Sequence, residues 1–190
     1  MITRPIILVT LSSLLIAVAG CERTDGQQEA PATVSPGGFI LQPEEGEVLL
    51  LPGPPGGQVI IKVDPAKTGS SQMAMGIQYL EGEIPLHQHE HEEELLFVHQ
   101  GQGIGMLGDQ RVPLQAGSTI YIPPGTWHGF QNTADGASQI MWVVTPGSGE
   151  QTQLEHFFRE VGVPRGTEVQ SLTPEQFADI MEKHGMRANP

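Results

Sequence analysis

Turn-forming residues cut this chain into short pieces, and that spacing limits what it can fold into. Glu47–Leu51 and Val59–Val63 are β-favouring runs separated by Pro52-Gly53-Pro54-Pro55-Gly56-Gly57. Gln72–Leu80 alternates loosely, and Ile84–His89 follows Gly82. Glu94–Val98 is apolar on both faces, Leu96 and Val98 on one and Leu95 and Phe97 on the other. That pattern is expected of a strand covered from two sides. Gly101, Gly103 and Gly105 read as a bend, and Gly108-Asp109-Gln110 as a hairpin turn before Arg111–Leu114. Ser118–Ile122 stops at Pro123-Pro124-Gly125, and Trp127–Asn132 and Gln139–Thr145 complete the series. About ten short strands at regular spacing mean a sandwich or a barrel. Glycine (24) and proline (16) are frequent for 190 residues, yet together stay below the level that signals disorder.

The formal net charge is −13, which excludes nucleic acid as a partner, because phosphates require a basic surface. The single cysteine, Cys21, forbids an internal disulfide. Arg4 leads into an apolar run from Ile6 to Ala19 that ends Val18-Ala19-Gly20-Cys21. A positive start, a short apolar core and small residues before a cut read as a secretory signal. The tetrapeptide resembles the lipobox of bacterial lipoproteins, which implies cleavage before Cys21 and a lipid on its sulfur. The expected location is exported and membrane-anchored. Glu22, which is not Asp, implies the outer membrane facing the periplasm if the cell is Gram-negative. Residues 22 to about 38 are small and polar, a flexible tether.

The tail differs from the middle. Leu154, Phe157, Phe158 and Val161 form one stripe of a short helix over Leu154–Val161. Thr173-Pro174-Glu175-Gln176 is a helix start with a reciprocal cap, and Gly185 is a stop. Phe177, Ile180, Met181 and His184 share a face of this second helix, expected to pack on the outside of the barrel.

The stretch Gly82–Gly101 holds His87, His89, His91 and His99 among five glutamates, with Glu81 just before it. Imidazole and carboxylate together suit a first-row divalent metal. On a strand His87 and His89 leave from the same face, so both can reach one ion. Glu90, Glu92 and Glu93 read as solvated loop charges. His91 is the weaker competitor for the pair, His99 faces away, and His156 and His184 belong to the tail.

Two segments carry a family resemblance. The first is His87-x-His89, four residues, Glu94, six residues, Gly101. The second is Gly117, five residues, Pro123-x-Gly125, two residues, His128, three residues, Asn132. They resemble the paired motifs of the cupin superfamily, with fifteen residues between them. Gly82 departs from the pattern by one residue, which alters an entry loop and not the ligands. The chain is most similar to small, single-domain, quercetinase-like bacterial cupins.

The resemblance implies an all-β fold, a cupin-type jelly-roll β-barrel with a short C-terminal helical extension. It implies metal ligation by His87, His89, Glu94 and His128, with Asn132 supporting a turn. The metal is a divalent transition ion, with Fe, Mn, Ni, Cu, Co and Zn all open. The expected division is a signal peptide over residues 1–20, lipidated Cys21 and tether over 21–38, the barrel over 39–148, and a C-terminal extension over 149–190 with one or two short helices.

Met73, Met75, Ile77 and Tyr79 share a strand face and read as core. Met106, Tyr121, Trp127, Phe130 and Trp142 are candidates for the wall of a small-molecule pocket. Three functions fit. The first is a metal-dependent dioxygenase acting on a small organic substrate, with Glu94 as base. The second is a non-catalytic exported binding protein for a metal or small ligand, and the third a metal-dependent isomerase or lyase. No serine nucleophile motif, phosphate-binding glycine loop or reactive thiol is present. A homodimer through a sheet face is open.

Overall fold

The computed structural model describes residues 38–53, 57–69 and 72–189. The expected signal peptide, Cys21 and nearly all of the tether lie outside the described residues.

Twelve strands are found among the described residues. In order they are β1 (Glu47–Leu51), β2 (Gly57–Val63), β3 (Ala74–Leu80), β4 (Glu83–His89), β5 (Glu93–Gln100), β6 (Gln102–Leu107), β7 (Gln110–Gln115), β8 (Thr119–Ile122), β9 (His128–Asn132), β10 (Ser138–Thr145), β11 (Val163–Pro164) and β12 (Met186–Ala188). Three helices join them: α1 (Pro65–Thr68), α2 (Leu154–Val161) and α3 (Pro174–Lys183). All pairings are antiparallel. One sheet runs β11-β1-β2-β3-β10-β5-β8 and the other β12-β4-β9-β6-β7. This is a cupin-type jelly roll with a helical extension.

The core lies between the sheets and follows the period of two. In β10, Ser138, Ile140, Trp142 and Val144 are buried, and the residues between them are partly covered. In β5, Glu94, Leu96 and Val98 point inward. Trp142 lies flat on Gly76, where a Cβ would stand 2.5 Å from the indole. That strand position therefore needs glycine.

Two expectations are corrected. Gly103 and Gly105 do not bend the chain; they sit inside β6. A Cβ on Gly103 would lie 2.3 Å from the Phe130 ring, and one on Gly105 2.5 Å from Leu114. Here glycine serves close packing between strands and not a turn. Met75, Ile77 and Tyr79 are not core: the inward positions of β3 are Ala74, Gly76 and Leu80. Met75 and Ile77 lie half-buried on the outer face, in register with Val143 and Met141, which pair in turn with Leu95 and Phe97.

α2 packs into the core, and α3 lies outermost, on α2 rather than directly on the barrel wall. α2 buries Leu154, Phe157, Phe158 and Val161, and the Phe158 ring is 5.4 Å from that of Trp142. α3 begins with the reciprocal cap of Thr173 and Gln176 and crosses Phe157 through Phe177, edge to face at 5.6 Å. The chain then turns at Gly185 (φ 67°) and adds β12 to the edge of β4, opposite His87 and His89. The tail thus closes the mouth of the barrel and supplies an edge strand to each sheet.

Candidate metal centre

His87 and His89 sit at the end of β4, Glu94 at the start of β5 and His128 at the start of β9. A register shift in the β4–β9 ladder between Ile84 and His87 brings His87 opposite His128. Pro85, which has no N–H to give to the ladder, lies in that interval. The turn at Pro123-Pro124-Gly125 is fastened to the ligand strand: the Gly125 N–H donates to the carbonyl of His89 at 2.6 Å. Gly125 takes φ 71°, a conformation that favours glycine.

The four side chains converge, each offering one ligand atom within 4.8 Å of the others. His87 Nε2 is 3.2 Å from His89 Nε2. Glu94 Oε2 is 2.8 Å from His128 Nε2 and 3.6 Å from His89 Nε2. His89, Glu94 and His128 are buried, and His87 is partly buried.

Each outer nitrogen is engaged. His87 Nδ1 donates to the Pro85 carbonyl, His128 Nδ1 to the Thr126 carbonyl, and His89 Nδ1 to Glu92 Oε2, all at 2.8 Å. Carbonyls and carboxylates only accept, so the protons sit on Nδ1. In the neutral rings the Nε2 lone pairs then face one another. Two lone pairs 3.2 Å apart repel unless a cation lies between them. That separation is close to the ~3.0 Å between two nitrogens bound at right angles, each ~2.1 Å from one ion. Glu94 Oε2 and His128 Nε2 are moreover buried, and each meets only the other, with no further hydrogen bond. The donor set fits a divalent transition metal.

The electrostatics agree. Burial, with the neighbouring His128 and His89, pushes His87 down to about 3, so it is neutral at pH 7. Burial disfavours charge on Glu94 too, but His128, His89 and His87 outweigh it and hold the carboxyl at about 2. Burial also opposes charge on His89, yet the bond to Glu92 and the charges of Glu94 and Glu92 raise it above its ordinary value.

Glu92 corrects the reading of a solvated loop charge. It is buried, and its second oxygen accepts from the N–H groups of Gln153 (2.7 Å) and Leu154 (3.3 Å) at the start of α2. One carboxylate thus ties His89 to a helix N-terminus. Among the four glutamates of residues 90–94 only its spacing of three from His89 hinted at this. His91 is largely exposed, near Ser148, and His99 and His156 are exposed, all outside the cluster. His184 is buried against α2, 2.7 Å from Glu160. Asn132 donates to the carbonyls of Glu81 and Gly136 and holds its turn.

His87 and Glu94 also line a cavity of about 480 Å³ beneath α2 and α3. Of the five candidate wall residues only Trp142 borders it. The C-terminal helices supply much of the remainder, which strand patterning does not foretell.

Residues 75–144 match the family described as the cupin domain. An uncharacterised protein of Methanocaldococcus jannaschii is 33% identical over 70 residues, 36% of this chain. The chain spans 56% of that relative's length. A predicted oxalate decarboxylase of Thermotoga maritima superposes with a TM-score of 0.52 at 18% identity, over 57% of this chain and 99% of its own. An RmlC-like cupin of Shewanella frigidimarina gives 0.48 at 17%, over 58% of this chain and 92% of its own. At 18% identity the likeness to the Thermotoga maritima protein is one of fold.

Proposed function

We propose that His87, His89, Glu94 and His128 hold a divalent transition metal, and that the chain is an exported, lipid-anchored oxidoreductase of dioxygenase type acting on a small organic substrate. One observation carries the reading: four converging donors, fixed from behind, open through His87 and Glu94 onto a small-molecule cavity. A closed structural site would have no such exit. The ion would supply Lewis acidity and, if redox-active, one-electron chemistry. The protein holds the three imidazoles in one tautomer through Pro85, Thr126 and Glu92. Glu94, a carboxylate bordering the cavity, is placed to take a proton from a substrate hydroxyl. The apolar walls exclude water from that transfer. Anchoring through Cys21 would keep this chemistry at a membrane surface outside the cytoplasm. The half-buried outer rows at Met75, Val143 and Leu95 suit a second copy, which light scattering of the purified protein would reveal.

Elemental analysis of the isolated protein and an oxygen electrode test the reading together. Substrate-dependent oxygen uptake should vanish when His87 and His89 are both replaced by alanine; uptake that persists would sink it. Turnover under nitrogen would instead make the protein an isomerase or lyase. A co-purified molecule that survives long incubation unchanged would make it a binding protein.

A further inference from the structure

The walls of the cavity define what can occupy it. Leu80 and Leu96 come from the strands, Phe157 and Phe158 from α2, and Phe177 and Met181 from α3. Among the described lining residues there is no lysine or arginine. The charged groups there are Glu83 and Glu94, and the chain as a whole carries −13. Away from the ion proposed at His87 and Glu94, an anionic molecule would meet repulsion and find no protein cation to pair with. The volume itself is that of a small-molecule site, ~300–1,000 Å³. A second observation is independent of the walls. Trp142 borders the cavity, and its indole Nε1–H is buried with no acceptor. Buried tryptophan N–H groups usually find a partner, and a molecule seated beside the ring can provide one.

We infer that the cavity binds an uncharged, largely apolar organic molecule with an oxygen that accepts from the Trp142 indole N–H, under a roof formed by α2 and α3. Phosphorylated sugars and small dicarboxylates do not suit its walls. This deepens the proposed function by naming a substrate class, and rests on that reading only for the chemistry at His87 and Glu94.

The test is calorimetric titration of the full chain, treated with chelator, using naphthalene, 2-acetylnaphthalene and oxalate. Both naphthalenes should bind, the ketone more tightly, and oxalate should not. Ala178 is exposed on α3 at the rim of the cavity, so Ala178→Trp narrows the mouth without disturbing the core. It should weaken both naphthalenes about tenfold. Trp142→Phe keeps a ring and removes the donor, and should weaken only the ketone. The inference falls if neither naphthalene binds the folded protein, if Ala178→Trp changes nothing, or if oxalate binds as well. Equal losses for both naphthalenes in Trp142→Phe would overturn the role of the indole. Because the ion is absent throughout, failure of the chain to take up metal would overturn the proposed function and leave these titrations unchanged.

Discussion

Two buried polar clusters lie in this barrel, and they are built in opposite ways. Where α2 meets β1 and the end of β2, Asp64, Arg159 and Glu47 close upon themselves, and Lys62 is satisfied separately by loop carbonyls. Lys62 Nζ donates to the carbonyls of Gln42, Pro43 and Glu45. Asp64 accepts from the Lys67 N–H at 2.7 Å and from Arg159, which also grips Glu47 at 2.7 Å. None of these four side chains has a buried nitrogen or oxygen without a hydrogen bond. At the other cluster the three imidazoles of His87, His89 and His128 are hydrogen-bonded on their outer side, and Glu94 Oε2 and His128 Nε2 face only each other, 2.8 Å apart. A polar cluster that serves the fold fills its own valences. One that serves a ligand leaves them pointing at a common space.

His87→Ala breaks the contrast most severely on the open side. Metal affinity should fall by more than the ~100-fold that outer-layer changes cost, as read by chelator competition. The unfolding free energy of the metal-free protein should move by under ~1 kcal/mol, because the ring is only partly buried and its loss removes one of the facing lone pairs. Asp64→Ala reverses the pattern: a loss of about 3 kcal/mol in urea, with metal uptake retained. The low end of the usual range applies because Arg159 is partly exposed. A loss under ~1 kcal/mol would place the closed cluster among ordinary surface pairs.

Glu92→Gln sharpens the comparison, since Glu92 satisfies its own valences while serving the open cluster. Gln cannot both accept from His89 Nδ1 and cap α2 as the carboxylate does, so metal affinity should drop ~10–100-fold with His87 and His89 intact. An unchanged affinity would reduce Glu92 to a helix cap. The smallest effect is on acid stability. Burial disfavours the charge on Asp64, but the bonds from Arg159 and Lys67 hold its carboxyl below its ordinary value. Its contribution is therefore complete above the unfolded value, ~3.9, and is lost as pH falls through the lower folded one. Asp64→Asn should lack that step in a stability-against-pH curve; an identical curve would show that the network does not titrate as a unit.

The four converging residues were legible because their partners are read from spacing: His87 and His89 by strand parity, Glu94 and His128 by the motif intervals. The place of Glu92 was not, since its partners at Gln153 and Leu154 lie more than sixty residues away. Gly103 and Gly105 misled for a related reason. Their function is to admit Phe130 and Leu114 across the sheet, and a local reading sees only flexibility. The stripe of α2 and the cap of α3 were visible as helices. What they cover depends on Trp142 and Leu96, residues brought together by topology rather than by sequence neighbourhood.

The pairing of β12 with β4 has a consequence for timing. Met186 and Ala188 flank His89 and His87 across roughly one hundred residues of chain. Closing so long a loop is entropically late, so the strand bearing two of the four donors keeps a bare edge until the tail arrives. An ion that meets the chain early in folding finds the donors loosely held. One that comes after β12 has docked finds them rigid. Which ion is acquired then depends on the order of events in assembly, and on what the compartment offers at that moment, as much as on the donors themselves.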